Sequence, residues 1–258
     1  MDTTDLFSLK GRTALITGGS RGIGKMIAEG FIAQGARVYV SSRKAEVCDQ
    51  TAAELSRGGG SCISLPGDVS TLDGVRGLAA AYAAREPALD ILVNNAGAAW
   101  LATFDDFPEK GWDKVVDLNV KAPFFLTQAF AGSLRAAARK ERPAKVINIA
   151  SIDGIYLTPN ETYSYAASKS GLIQLTRLLA ARLIKDHIAV SAIAPGPFKS
   201  DMNTWARDHE AETAARVPAR RIGTDLDMAG AAIFLASRAG DYVVGSVVTV
   251  DGGLAFAT

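Results

Sequence analysis

The sequence predicts an α/β protein built on one doubly wound sheet of about seven parallel strands, with helices on both faces. Three observations carry this. Short β-rich runs alternate with longer segments of helical spacing along the whole chain. The runs are nearly continuous in Val, Ile, Leu and Ala, as strands covered on both faces must be. No Pro- or Ser-rich linker and no internal repeat divides the 258 residues, a length that one domain of this kind accommodates.

TALIT (13–17) reads as the first strand and leads into a helix over 22–34. RVYVS (37–41) is the second, followed by a helix over 45–57 that RGGG stops at residues 57–60. SCISLP, LDILVNN, KVINIAS and IAVSAIAP supply four more strands, and SVVTVDGG closes the series. Ligands of such a sheet sit beyond the carboxyl ends of its strands, so the turns there are where chemistry is expected.

The first of those turns, TGGSRGIGKM (17–26), has two readings. From Gly19 it has the G-x-x-x-x-G-K frame of an ATP-binding loop, but the position that must offer a hydroxyl to magnesium is Met26, and a thioether is a poor ligand for that cation. From Thr17 it reads T-G-x-x-x-G-x-G, a strand-to-helix turn whose backbone N–H groups and positive helix end face a dinucleotide pyrophosphate. Its place between first strand and first helix selects the dinucleotide. At the end of the second strand, where an NAD enzyme usually carries an acid for the ribose 2′-OH, stand Ser42 and Arg43. Arg43 together with Arg21 could clamp a 2′-phosphate, which favours NADP; the alternative is that both are solvated surface residues.

A formal net charge of +1 argues against nucleic acid as the main partner. The amino-terminal run lacks the order of a signal peptide and no apolar stretch approaches a membrane span, so a cytoplasmic protein without membrane attachment is expected. Cys48 and Cys62 form no C-x-x-C and read as buried thiols rather than a metal site or disulfide.

After the fifth strand, NIASIDG precedes YSYAASKSGL. Tyr165 and Lys169 are four apart on an expected helix and share a face. A free tyrosine titrates near ~10. An ammonium about 6 Å away, at an effective dielectric of about 20, favours the phenolate by about 3 kcal/mol, or about two pH units. Lys169 is therefore expected to acidify Tyr165 for proton exchange with a substrate oxygen. Ser151, at the preceding strand end, can hydrogen-bond that same oxygen.

These motifs, in this order, resemble the short-chain dehydrogenase/reductase family over essentially the whole chain. The matching residues are Thr17, Gly18, Gly22 and Gly24 in the glycine turn, Asp68 in GDVS, NNAG at 94–97, Asn119 in DLNV, Ser151, Tyr165 with Lys169, PGPFKSDM from Pro195, and DGG from Asp251. The resemblance implies a Rossmann-type fold and NADP(H), with Tyr165 as acid/base, Lys169 tuning it and binding the nicotinamide ribose, Ser151 polarising the carbonyl, and Asn119 holding a water in a proton relay. It places Thr17, Gly18, Ser20, Arg21, Gly22, Ile23 and Gly24 at the cofactor phosphates, Ser42 and Arg43 at the adenosine ribose, and Asp68 with Val69 at the adenine. Asn95, Ala96 and Gly97 line the cofactor near its ribose, and Pro195, Gly196, Phe198 and Ser200 fix the carboxamide. No metal is required. The family is usually dimeric or tetrameric, and the apolar GGLAFAT terminus suits an interface.

Two positions depart from the family pattern: Ser191, where Asn is frequent, and Ser42, where NAD enzymes carry an acid. His187 and His209 are expected at the surface or at helix ends. Residues 198–223 read as a polar substrate lid bearing Trp205, Arg216, Arg220 and Arg221, the arginines being either anion receivers or a solvated face. Arg135, Arg139, Lys140, Arg142 and Lys145 form a basic cluster, either a dock for an acyl carrier protein or a solvated helix end. Asp153 faces the pocket or caps the following turn. Within the family, SIDGIYLTPNETYSYAASKSGL and APGPFKSDM resemble the 3-oxoacyl-thioester reductases of the acyl-carrier-protein type. This implies NADPH-dependent reduction of a 3-oxoacyl group; the alternatives are a sugar-acid or polyol dehydrogenase of the gluconate dehydrogenase type, and a non-catalytic NADP-binding sensor.

Overall fold

The computed structural model describes residues 3–158, 160–200 and 204–257. Its seven strands are β1 Thr13–Thr17, β2 Arg37–Ser41, β3 Ser61–Ser64, β4 Ile91–Asn94, β5 Ala144–Ile149, β6 Ile188–Pro195 and β7 Val247–Val250. They form one parallel sheet in the order β3-β2-β1-β4-β5-β6-β7. The boundaries expected for the first, second and sixth strands are those observed.

Alternation within each strand explains the continuous apolar runs. Ala14, Ile16, Val38, Val40, Ile91, Val93, Ile147 and Ile149 point to one face, where α1 (Gly22–Ala33), α2 (Ala45–Ser56) and α10 (Asp225–Ala236) cover them. Leu15, Tyr39, Leu92, Val146 and Val190 point to the other, under α3 (Leu72–Ala83), α5 (Ala122–Ala129), α6 (Ala131–Ala137) and α7 (Tyr163–Leu183). With both side-chain directions buried, neither tolerates a polar residue without a partner. α1 and α10 approach so closely that a Cβ on Gly30 would stand 2.6 Å from Ala229 Cβ.

The remaining helices are α4 (Glu109–Val116), α8 (Thr204–Asp208) and α9 (Glu210–Arg216). A π-turn, Asp117–Lys121, joins α4 to α5. The winding reverses between β1 and β4, which leaves a crevice at their carboxyl ends. Four neighbouring strands, β1, β4, β5 and β6, deliver their following residues to that edge. Among the described residues no helix is long and apolar enough to cross a membrane.

Candidate active site

The glycine turn is built for close approach. Gly18 and Gly22 have φ of 63° and 49°, a left-handed backbone that favours glycine. A Cβ on Gly24 would stand 2.4 Å from Gly18 O. Arg21 is the N-cap of α1 without any side-chain cap, and no acidic residue occupies the first helical turn, so the N–H groups at that end are left to an anion. Ile23 lies in the same first turn. The cradle therefore fits a nucleotide pyrophosphate. Ser200 lies beside it, its Cβ 3.3 Å from where a Gly22 Cβ would be, so the segment after β6 returns to the glycine turn.

Several residues expected at the cofactor also hold this cradle together through hydrogen bonds of their own. The Thr17 hydroxyl donates to Val93 O (3.3 Å) and accepts from the N–H groups of Asn95 (3.1 Å) and Ala96 (3.2 Å). Asn95 Nδ2 donates to the carbonyls of Thr17 (2.9 Å) and Gly18 (3.1 Å). The carbonyl of Ser20 accepts from Thr51. Phe198 is buried in the core with its ring packed over Gly223, so its side chain does not line the site. Pro195 ends β6, and Gly196 N donates to Val250 O.

At the end of β2, Arg43 is exposed beside a half-buried Ser42, and Lys44, which the sequence reading passed over, is exposed next to them. Asp68 is exposed and accepts from Ser70 N, while Val69 is buried.

The reacting groups meet beyond β5. Ser151 caps the short turn Ile152–Gly154, accepting from Asp153 N at 3.2 Å, and its hydroxyl acts on the Tyr165 phenol. Lys169, one turn along α7 and only 4% exposed, donates to Ile149 O at 2.7 Å. Its Nζ stands 5.5 Å from the Tyr165 ring centroid.

The charge relation differs from the sequence expectation. Burial pushes Tyr165 up to about 12, with the Ser151 hydrogen bond pulling down and Asp153 pushing up. Burial also pulls Lys169 down to about 8, with Asp153 acting against it. The protein's own groups thus keep Tyr165 protonated at neutral pH; desolvation of the phenolate dominates, and the lowering expected from the Lys169 charge does not appear among the influences on it.

Asn119 sits in the π-turn, 1% exposed. Its Oδ1 accepts from Ala98 N (2.9 Å), and its Nδ2 donates to Ala98 O (2.9 Å) and Ser168 Oγ (3.0 Å). All three bonds go to protein, so the side chain ties the loop after β4 to α7. Beneath, Asn94, Asn148 and Thr176 form a buried hydrogen-bonded ladder across β4, β5 and α7. Sequence reasoning missed Ser168 and Asn148; polar residues inside otherwise apolar elements were their only signal.

Other expected groups are committed elsewhere. Arg221 pairs with both oxygens of Asp227, and Arg220 donates to Ala215 O at 2.6 Å. The basic cluster lies around the amino end of β5, opposite Ser151, with Arg135 paired to Asp186, Arg142 to Asp90 and Lys145 to Asp241. It does not open on the site. Asp201 and Met202 of the PGPFKSDM run, like the whole stretch 201–203 of the expected lid, lie outside the described residues. His187 follows a short helical turn with φ of 58°, and His209 caps α9 and stacks on Trp205.

Comparison with known proteins decides the family: that described as enoyl-(acyl carrier protein) reductase matches residues 18–255. The chain belongs to the short-chain dehydrogenase/reductase family. As a member it is an oxidoreductase. It is 47% identical over 250 residues to the rhamnolipids biosynthesis 3-oxoacyl-[acyl-carrier-protein] reductase of Pseudomonas aeruginosa, covering 96% of this chain and 97% of that one. It is 35% identical over 253 residues to the 5-keto-D-gluconate 5-reductase of Escherichia coli K12, covering 97% and 98%. Among solved structures, the Pseudomonas aeruginosa RhlG/NADP active-site complex superposes with a TM-score of 0.94 at 45% identity, covering 97% and 99%.

Proposed function

We propose that the chain reduces a ketone to a secondary alcohol with NADPH, and that the ketone is a 3-oxoacyl thioester. The observation that carries the reductase reading is the meeting of Ser151, Tyr165 and Lys169 beyond β5, beside a glycine cradle that a Cβ would fill. Gly18, Ser20, Arg21, Gly22, Ile23 and Gly24 would hold the pyrophosphate, and Ser42 with Arg43 the 2′-phosphate. Asp68 and Val69 would meet the adenine, Asn95, Ala96 and Gly97 the cofactor near its ribose, Tyr165 and Lys169 the nicotinamide ribose, and the backbone of 195–200 the carboxamide. When bound, the reduced nicotinamide supplies the hydride.

The chain's own residues manage the oxygen. Ser151 donates to the substrate carbonyl and polarises it. Tyr165, protonated at neutral pH, gives its proton to the developing alkoxide. Lys169, charged below about 8, stabilises the phenolate left behind. This protonation pattern suits reduction, because oxidation would need the phenolate at the start.

Between substrate classes, charge favours the neutral acyl chain. Asp153 stands two residues from Ser151, and three of the four arginines in 198–223 are committed to protein partners. A sugar acid would find repulsion at the reacting end and a poor supply of cations. The two relatives carry both chemistries in their names, so the 5-ketogluconate reductase reading stands second. Residues 198–223 serve as the lid, the protein works in the cytoplasm, and copies associate through the partly exposed edge strand β7 and the apolar segment after it.

The test is loss of NADPH absorbance with 3-oxoacyl-CoA thioesters of increasing length beside 5-ketogluconate. Turnover on the thioesters supports the reading; turnover on 5-ketogluconate alone replaces it with the second.

A further inference from the structure

Asp153 is a half-buried carboxylate to which the proton transfer assigns no task. It follows Ser151 by two residues, and its backbone N–H donates to Ser151 Oγ at 3.2 Å. One residue on, Gly154 presses against α7: a Cβ there would stand 2.7 Å from the carbonyl carbon of Lys169 and 2.8 Å from Ser170 N. Ser170 Oγ donates to Gly154 O at 3.0 Å and fastens the turn to that point of the helix. The carboxylate is therefore carried on a short turn fixed at one end to Ser151 and at the other to the helical turn bearing Lys169.

The cap of that turn is the Ser151 hydroxyl, not the Asp153 side chain. Among the described residues, none hydrogen-bonds or ion-pairs with the Asp153 carboxylate. Lys169 is in the same position: its hydrogen bond goes to a neutral carbonyl, and its closest aromatic face is that of Tyr165. Around Lys169, the titratable side chains are Tyr165 on its own helix and Asp153 on the packed turn. Asn119 on the π-turn, Ser151, Ser168 and the loop at Gly97 bring polar but uncharged groups. A buried ammonium and a half-buried carboxylate, each without a direct ionic partner among the described residues, are thus carried on two segments packed against each other.

We propose that Asp153 is a positioning residue of this reductase, its carboxylate serving as the counter-charge that keeps the buried Lys169 ammonium charged while Tyr165 donates its proton. Withdrawal from water penalises the ammonium, and a fixed opposite charge in the same low-dielectric site offsets part of that penalty. The influence is mutual: Asp153 acts to raise Lys169 and Lys169 acts to lower Asp153, each against its own burial. The proposal rests on the reductase reading for its purpose, but not for its test.

That test is a titration of the Lys169 Nζ in the full chain by lysine-selective 15N NMR, assigned with Lys169→Met, in wild type, Asp153→Asn and Asp153→Glu. The expected result is a midpoint about one pH unit lower in Asp153→Asn, a tenfold loss of proton affinity, and a near wild-type midpoint in Asp153→Glu. An unchanged midpoint in a folded Asp153→Asn protein would overturn the proposal. If turnover is then followed against pH, the alkaline limb of kcat should move down with the NMR midpoint while KM is little changed; a uniform loss at every pH would mark Asp153 as merely structural. Absence of turnover in wild type would strike at the reductase reading and leave the NMR result to judge Asp153.

Discussion

Lys145 and Lys169 are both withdrawn from solvent, 1% and 4% exposed, at opposite ends of β5, and the protein handles their charges differently. Lys145 lies 2.8 Å from Asp241 Oδ1. Around it, Arg12 donates to Pro143 O, Asp90 accepts from Thr13 N, and Arg142 pairs with Asp90, so the amino edge of the sheet is closed by paired ions. Lys169 has only a carbonyl, an aromatic face and the charge of Asp153. Burial lowers both, but Lys145 is compensated by a direct ion pair, whereas Lys169 is pulled down to about 8. A shift of that size corresponds to about 3 kcal/mol of instability at neutral pH. One lysine closes the fold; the other is kept under-compensated where a phenolate must be stabilised.

The largest expected effect that sharpens this contrast is on the proton donor. Tyr165→Phe should lower kcat by about 10³ or more while NADPH binding, followed by nucleotide fluorescence, stays within about threefold. Retained turnover would show that another group supplies the proton.

Next comes the cradle. Gly24→Ala places a Cβ against Gly18 O, a contact that backbone cannot relieve cheaply. NADPH affinity should fall by about tenfold or more, since about 1–3 kcal/mol of backbone overlap must be absorbed. Calorimetric titration checks this.

The pH dependence should be smaller and has a defined sign. Tyr165 stays protonated up to about 12, so the reductive kcat is limited by Lys169 and should decline as pH rises through about 8. A rise across that range would mean that the phenolate, not the phenol, is the working form.

The smallest effects belong to the edges of the site. Arg43→Ala should narrow the preference for NADPH over NADH by about tenfold, the size of one exposed charge-assisted hydrogen bond to phosphate. Competition between the two nucleotides in a turnover assay reads it directly.

Much of this arrangement is legible in the sequence because it is carried by backbone periodicity and fixed spacing. The apolar runs give the strands since each is buried on both faces, and the glycine turn is visible since φ near 63° at Gly18 admits few other residues. Tyr165 and Lys169 are found because one helical turn separates them. What spacing cannot give is environment. The direction in which Tyr165 moves depends on how much water the folded site removes, and a pairwise Coulomb estimate leaves that out. Thr17 and Asn95 look like ligand contacts because they stand next to the glycines, yet their side chains brace the turn from behind. Arg221, Arg135, Arg142 and Lys145 stay open in sequence between ligand contact and solvated face because their partners, Asp227, Asp186, Asp90 and Asp241, belong to other elements. Asp153 is ambiguous in sequence for the same reason: only the packing of Gly154 on α7 brings its turn against the helix that bears Lys169.

The most direct test of the account measures melting temperature and NADPH-dependent turnover at pH 7 for Lys169→Met and Lys145→Met side by side. Lys169 has its folded value below its ordinary one, so its destabilising effect is full below pH 8 and fades as pH rises toward its ordinary value. Lys169→Met should therefore melt higher than wild type, by up to about 6–12 °C at about 2–4 °C per kcal/mol for a chain of this size, and lose nearly all turnover. Lys145→Met should melt lower, because Asp241 loses its partner, and keep turnover close to wild type. A Lys169→Met protein that melts lower while still turning over would contradict the claim that the buried charge of Lys169 is held for chemistry.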